Sequence, residues 1–289
     1  ITINIMTLAH KLLYIEKFNT ASIYTIFEYV NKYANSNVES NDCCGKTLCN
    51  VLSGSETELQ FDKAMKKLGG NTMNVYDYTI VNNNDSSGNP IKTDIHMDIA
   101  ILSENNLCQM YSIAARQQMR FIYSNIAKSL VDLYTIHQHV DFINYRVKIL
   151  LFGDPNNTYI QAMKYLLNMY PNVVITYNTT LCNNNEDNYD IIYYAQSSDN
   201  ICSLEEDIQE IEKIAKSYTY VIYRIPDCNM KNEQLQNMKI CSLYKKQTQN
   251  DIYVRMSLIY VCLFNLLDNT FDTLEYNYLN QLQSEIHHW

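Results

Sequence analysis

The spacing of apolar and polar positions changes part-way along the chain. Residues 147–152 read V-K-I-L-L-F and run into Gly153, Asp154 and Pro155, after which 159–170 is amphipathic. An apolar β-type run that ends on a glycine and passes into a helix is how an open α/β sheet starts its first strand. Further apolar runs at 173–177, 191–194, 218–225, 238–243 and 252–259 are interleaved with helical patterns at 159–170 and 204–217. The alternation predicts a mostly parallel sheet with helices on both faces. Only the polar stretch 244–251 separates the last two runs, which predicts an antiparallel pair, and 268–283 reads as a closing helix. Ligands of such sheets bind beyond the carboxyl ends of the strands, so the expected site lies around Gly153.

The first half carries a longer period. Helices are predicted over 5–14, 21–33, 56–68 and 106–139; in the last, Leu107, Met110, Tyr111, Ala114, Met119, Ile122, Tyr123, Ile126, Leu130 and Leu133 recur at helical spacing. Gly69 and Gly70 suit a helix stop, and Ser103 with Asn106 a helix start. Strand-like runs at 73–81 and 96–102 flank the loop N-N-N-D-S-S-G-N-P at 82–90. The pattern divides the chain into a mainly helical part, 1–145, and an α/β part, 146–289, with no internal repeat.

Composition narrows the function classes. With 47% hydrophobic and 18% charged residues the chain is globular, and 289 residues leave room for two cores. Tyrosine (25) is abundant while glycine (6) and proline (4) are scarce, and the asparagine clusters suggest an AT-biased genome of the kind many viruses have. A net charge of -9 does not draw in phosphate backbones, so RNA contact requires a partner or a local patch such as Arg116, Arg120, Lys128 and Arg146. Nine cysteines, an odd number, fit reduced thiols and a cytoplasmic setting. No apolar run reaches the roughly 18 residues of a membrane span; the longest, 252–267, contains Arg255. A start at Ile1 reads as a processed product or a piece of a longer chain, and the sequons at Asn84, Asn156 and Asn178 read as chance matches in an asparagine-rich chain.

Three small motifs suggest chemistry and each has a plainer reading. Gly45-Lys46-Thr47 has the ending of a phosphate loop, but polar residues rather than a strand precede it. Cys43, Cys44 and Cys49 with His10 or His96 could ligate zinc, yet no paired C-x-x-C set exists, so no metal site is expected. His137 and His139 with Asp141 could act together, but positions two apart on a helix face different ways.

A parallel sheet closed by an antiparallel hairpin resembles the Rossmann-like sheet of S-adenosylmethionine-dependent methyltransferases, in particular the FtsJ-type ribose 2'-O-methyltransferases. The likeness runs from about Arg116 to Ile259. It implies a lysine, aspartate, lysine and glutamate that activate a ribose hydroxyl. In their places stand Arg116 or Arg120, Ala195, Arg224 and Asp251, with Asp190 only at the start of its strand. The cofactor loop would be Gly153, Asp154 and Asn156, and Asn178 stands where an acidic residue would hold the cofactor ribose. Arginine stays protonated and cannot serve as the base, and Ala195 removes the positioning carboxylate.

The resemblance therefore implies a non-catalytic methyltransferase-like subunit, similar to the small subunit of a viral mRNA-capping enzyme, which supports a larger catalytic protein and meets RNA through it. The alternatives are an active S-adenosylmethionine-dependent RNA methyltransferase with Arg116, Arg224 and Asp251 as its catalytic set, and an interaction protein using a Rossmann-like scaffold.

Overall fold

The computed structural model describes residues 12–13, 18–36, 39–50, 56–74, 97–102, 120–178, 188–195, 204–224 and 241–267. They form two compact units, divided within two helices: one takes the described residues up to Ala127 together with those from Ile252 onward, the other Lys128–Asp251.

In the first unit, β1 (Leu12–Leu13), β2 (Thr47–Asn50), β3 (Asn71–Asn74), β4 (Ile99–Leu102) and β5 (Arg120–Tyr123) make a sheet of order β1-β5-β4-β2-β3. Every pairing is parallel. Helix α1 (Thr20–Ser36) is capped by Asn19, whose Oδ1 accepts from the Ser22 amide at 2.8 Å, and its apolar stripe Ile23, Ile26, Phe27, Val30 and Tyr33 is buried. Helix α2 (Glu56–Lys67) ends where the glycine pair predicts: Gly69 adopts φ +76°, and the Gly70 amide reaches back to the Met65 carbonyl at 3.1 Å.

The second unit holds β6 (Val147–Gly153), β7 (Val173–Asn178), β8 (Ile191–Ala195), β9 (Tyr220–Arg224) and β10 (Cys241–Ser242) in the order β10-β9-β8-β6-β7, again all parallel. Between them run α4 (Thr158–Leu167) and α5 (Leu204–Ile214); α3 (Ser124–His137) precedes the sheet and α6 (Tyr244–Leu263) follows it. β6 buries all but Lys148 and the half-buried Gly153, as the run V-K-I-L-L-F-G requires of a strand covered on both faces. Leu150, Phe152, Ile192, Tyr194, Val221 and Tyr223 pack with Ile211 of α5 in one core.

The two sheets share a device at their amino edges. Asp98, just ahead of β4, accepts from the Thr47 amide of β2 at 2.9 Å and donates its own amide to the Thr47 carbonyl at 3.0 Å. Asp190, just ahead of β8, does the same with Lys148 of β6, at 2.8 and 2.9 Å. Each aspartate fixes the register of a central strand pair.

Four expectations are corrected. The α/β fold with mostly parallel sheets stands, but the last strand is not antiparallel: β10 pairs parallel with β9, and 252–259 lies inside α6. In α6, Val254, Arg255, Met256, Ser257, Leu258, Ile259, Val261 and Cys262 are all buried. A helical segment buried on every side has no amphipathic period, so its sequence reads like a buried strand. The first half is also not mainly helical, since it contains a five-stranded sheet. Residues 120–123 within the expected long helix are strand β5, where Arg120 donates to the Cys262 carbonyl and the Asn265 side chain. Residues 12–13, expected in a helix, are strand β1. The loop at 82–90, the start of the 106–139 helix, Arg116 and the helix at 268–283 lie outside the described residues.

Candidate functional site

Parallel pairing brings four of the singled-out residues to one edge. Gly153 pairs with Ala195, Ala195 with Arg224, and Asn178 with Phe152, so β7, β6, β8 and β9 all finish together at the carboxyl edge of the second sheet. Gly153 takes φ +139°, and a Cβ built on it would stand 2.3 Å from the Ala195 carbonyl oxygen. Only glycine allows this approach of β6 to β8.

The chain then turns through Asp154–Asn157. Asp154 Oδ1 accepts from the Asn156 amide at 2.8 Å, and Asn157 Oδ1 caps α4 by accepting from the Tyr159 amide at 2.9 Å. Asp154 and Asn156 are exposed. The turn delivers Tyr159 to the first turn of α4 with its ring facing two cations: Arg224 Cζ lies 5.8 Å and Lys128 Nζ 5.9 Å from the ring centroid. Both distances are within the range of a cation–π attraction.

Beneath Arg224 lies Asp132 of α3, its side chain fully buried. Asp132 Oδ2 accepts from Arg224 Nε at 3.0 Å and from the Tyr193 hydroxyl at 3.0 Å. Its Oδ1 accepts from Arg224 Nη2 and, at 2.8 Å, from Gln247 Nε2. Arg224 Nη2 also donates to the Lys128 carbonyl at 3.1 Å, and Gln247 Nε2 to the Tyr223 carbonyl at 3.2 Å. Burial works against the Arg224 charge, but the Asp132 carboxylate outweighs it and holds the guanidinium protonated. Burial first, and then the Asp132 charge, push the Tyr193 hydroxyl far above the usual phenol range, so it stays a donor. The carboxylate thus has four converging donors, as a buried charge demands.

Asp132, Tyr159, Tyr193 and Gln247 were not singled out from the sequence. The signal for Asp132 is one acidic residue inside an apolar stripe, between Leu130, Val131 and Leu133. Asp251, expected to open a final strand, lies within α6, because the polar stretch 244–251 forms the first turns of that helix.

The smaller motifs resolve into structure. Gly45, at φ +75°, turns the chain into β2, and Lys46 pairs with Asp98 at 2.9 Å, so the phosphate-loop ending leads into a strand rather than a helix. Burial pushes the thiols of Cys43 and Cys49 up to about 12, which keeps them neutral and poor metal ligands. Among the described residues no cluster of metal-ligating side chains occurs. His137 packs edge-on against Phe142, whereas His139 sits by Tyr220 with Nδ1 2.9 Å from the Thr135 carbonyl. Arg146 is exposed ahead of β6, away from the edge that holds Lys128. No helix among the described residues is long and apolar enough to cross a membrane.

Burial lowers the pKa of His137 below its ordinary 6.5, against the weaker pull of Asp141. The native state therefore favours the neutral ring. The contribution of His137 to stability is constant above about pH 6.5 and falls as pH drops from there toward the lowered native value, because the unfolded chain takes up the proton first. Denaturation midpoints measured at half-unit pH steps should show this decline, and His137→Phe should flatten it.

No family model matches the chain, nor does any curated protein sequence. Solved structures do. The catalytic subunit of aspartate transcarbamoylase from M. jannaschii superposes with a TM-score of 0.68 at 17% identity, over 88% of this chain and 98% of that one. The Trypanosoma cruzi enzyme in complex with carbamoyl aspartate and phosphate gives 0.65 at 15%, over 86% and 94%. The same enzyme with N-(phosphonacetyl)-L-aspartic acid gives 0.64 at 15%, over 86% and 95%. These neighbours, with the wholly parallel sheets, overturn the FtsJ-type methyltransferase resemblance and with it the capping-subunit reading, and they lend no support to its two alternatives. The polypeptide is similar in fold, over nearly its full length, to the catalytic chains of aspartate transcarbamoylases.

Proposed function

We propose that this chain is a carbamoyltransferase-like protein that binds a small anionic ligand at the carboxyl edge of its second sheet. One observation carries the reading: Lys128 and Arg224 converge on the face of Tyr159 at that edge, where an open parallel sheet receives its ligands. Ammonium and guanidinium groups suit carboxylate and phosphate oxygens. The neighbouring structures hold ligands of this class, namely phosphate, carbamoyl phosphate and aspartate.

Calorimetric titration of the full chain with N-(phosphonacetyl)-L-aspartate tests the proposal, with phosphate, carbamoyl phosphate and aspartate titrated separately. Saturable binding is expected, and Lys128→Gln should weaken it about tenfold, the effect of losing one charge-assisted contact. No heat from any of the four at millimolar concentration would refute the reading. Incubation with carbamoyl phosphate and aspartate, followed by analysis for carbamoyl aspartate, reads out whether a bound pair reacts.

A further inference from the structure

The fork of Arg224 is already occupied from within. Its Nε–H and one Nη2–H meet the two oxygens of Asp132, and Nη2 also donates to the Lys128 carbonyl. The N–H bonds of Nη1 have no hydrogen-bond acceptor among the described residues, and the side chain keeps 18% of its surface open. A carboxylate that grips an arginine with both oxygens needs two adjacent N–H bonds pointing the same way. On the Nε/Nη2 side, that pair belongs to Asp132.

We propose that Asp132 is an internal competitor for the ligand's anionic group, so that an incoming anion is received through a single oxygen at Arg224 Nη1, beside Lys128 and the Tyr159 ring. The inference rests on the ligand site proposed above and names the residue that sets its strength. Tyr193 and Gln247 take part because they share the carboxylate's negative charge. The more firmly they hold it, the less of it bears on Arg224.

The test titrates the full chain and three variants with inorganic phosphate and with N-(phosphonacetyl)-L-aspartate. Asp132→Asn keeps an acceptor in place but removes the charge, and affinity should rise about tenfold, as expected for one charge lost at several ångström near a protein surface. Asp132→Glu retains the charge and should show no such gain. Tyr193→Phe loses only a hydroxyl, frees carboxylate charge for Arg224, and should weaken binding by about twofold. Wild-type binding with Asp132→Asn folded and equal or weaker in affinity overturns the inference and leaves the ligand site standing. If Asp132→Asn does not fold, Tyr193→Phe decides: weaker binding upholds the inference, and unchanged or tighter binding overturns it. Failure of the wild-type chain to bind either probe removes the ligand site, and this inference with it.

Discussion

Replacing Asp132 with alanine should lower the unfolding free energy by about 3–5 kcal/mol, because it leaves a buried guanidinium without its counter-ion. Arg224, the Tyr193 hydroxyl and the Gln247 amide would all lose their shared acceptor. In a chain of this size the thermal midpoint should drop by roughly 6–20 °C. Arg224→Met should cost a similar amount for the mirror-image reason, since a fully buried carboxylate then keeps only the Tyr193 and Gln247 donors and has no counter-ion. The double variant Asp132→Ala with Arg224→Met removes both charges together and should recover much of the loss. Denaturant unfolding of the single and double variants measures the coupling. Additive losses would mean that the pair is not the unit described.

The second large effect belongs to Gly153. In Gly153→Ala the new methyl would stand 2.3 Å from the Ala195 carbonyl oxygen, which is backbone and can move only if β6 and β8 separate, and the φ of +139° is itself unfavourable for alanine. Overpacking and backbone strain together should cost about 2–5 kcal/mol. The damage falls where Gly153, Ala195 and Arg224 lie in register, so ligand binding should fail along with stability. Ala195→Gly, which adds no atom, serves as the control and should retain the site. Thermal unfolding and titration of the two variants separate the outcomes, and a Gly153→Ala protein with wild-type stability would contradict the strand geometry.

Much of the second unit was legible in the residues. The run V-K-I-L-L-F-G gave β6 directly, because a strand buried on both faces has no polar alternation to disguise it, and I-I-Y-Y-A and Y-V-I-Y-R gave β8 and β9 the same way. The turn residues Gly153, Asp154 and Asn157 located the edge, since each has a local backbone reason to be there. Helix α6 misled for the same reason that β6 did not: an apolar run without period fits a buried strand and a buried helix equally, and only the absence of glycine and proline over 244–263 pointed to the helix. The antiparallel hairpin depends on 252–259 being a strand, and the methyltransferase resemblance depends on that hairpin.

Strand β5 was hidden in another way. Four residues, R-F-I-Y, run directly into a helix of similar apolar content, so the helical spacing continues through them. The charged heart of the site was harder to see. Asp132 and Arg224 stand 92 residues apart, and nothing local marks them as partners. Arg224 was visible at a strand end, but its environment, which decides what it can bind, comes from α3, β8 and α6 together.

Hydrogen–deuterium exchange of the full chain, with and without saturating N-(phosphonacetyl)-L-aspartate, tests the central claim most directly. The account predicts added protection confined to the carboxyl edge of the second sheet, in peptides covering Gly153–Ile160 and Tyr220–Arg224, and its loss in Lys128→Gln. Protection appearing only at the opposite edge, around Asp141–Val147 and Tyr218, or no change anywhere, would contradict it.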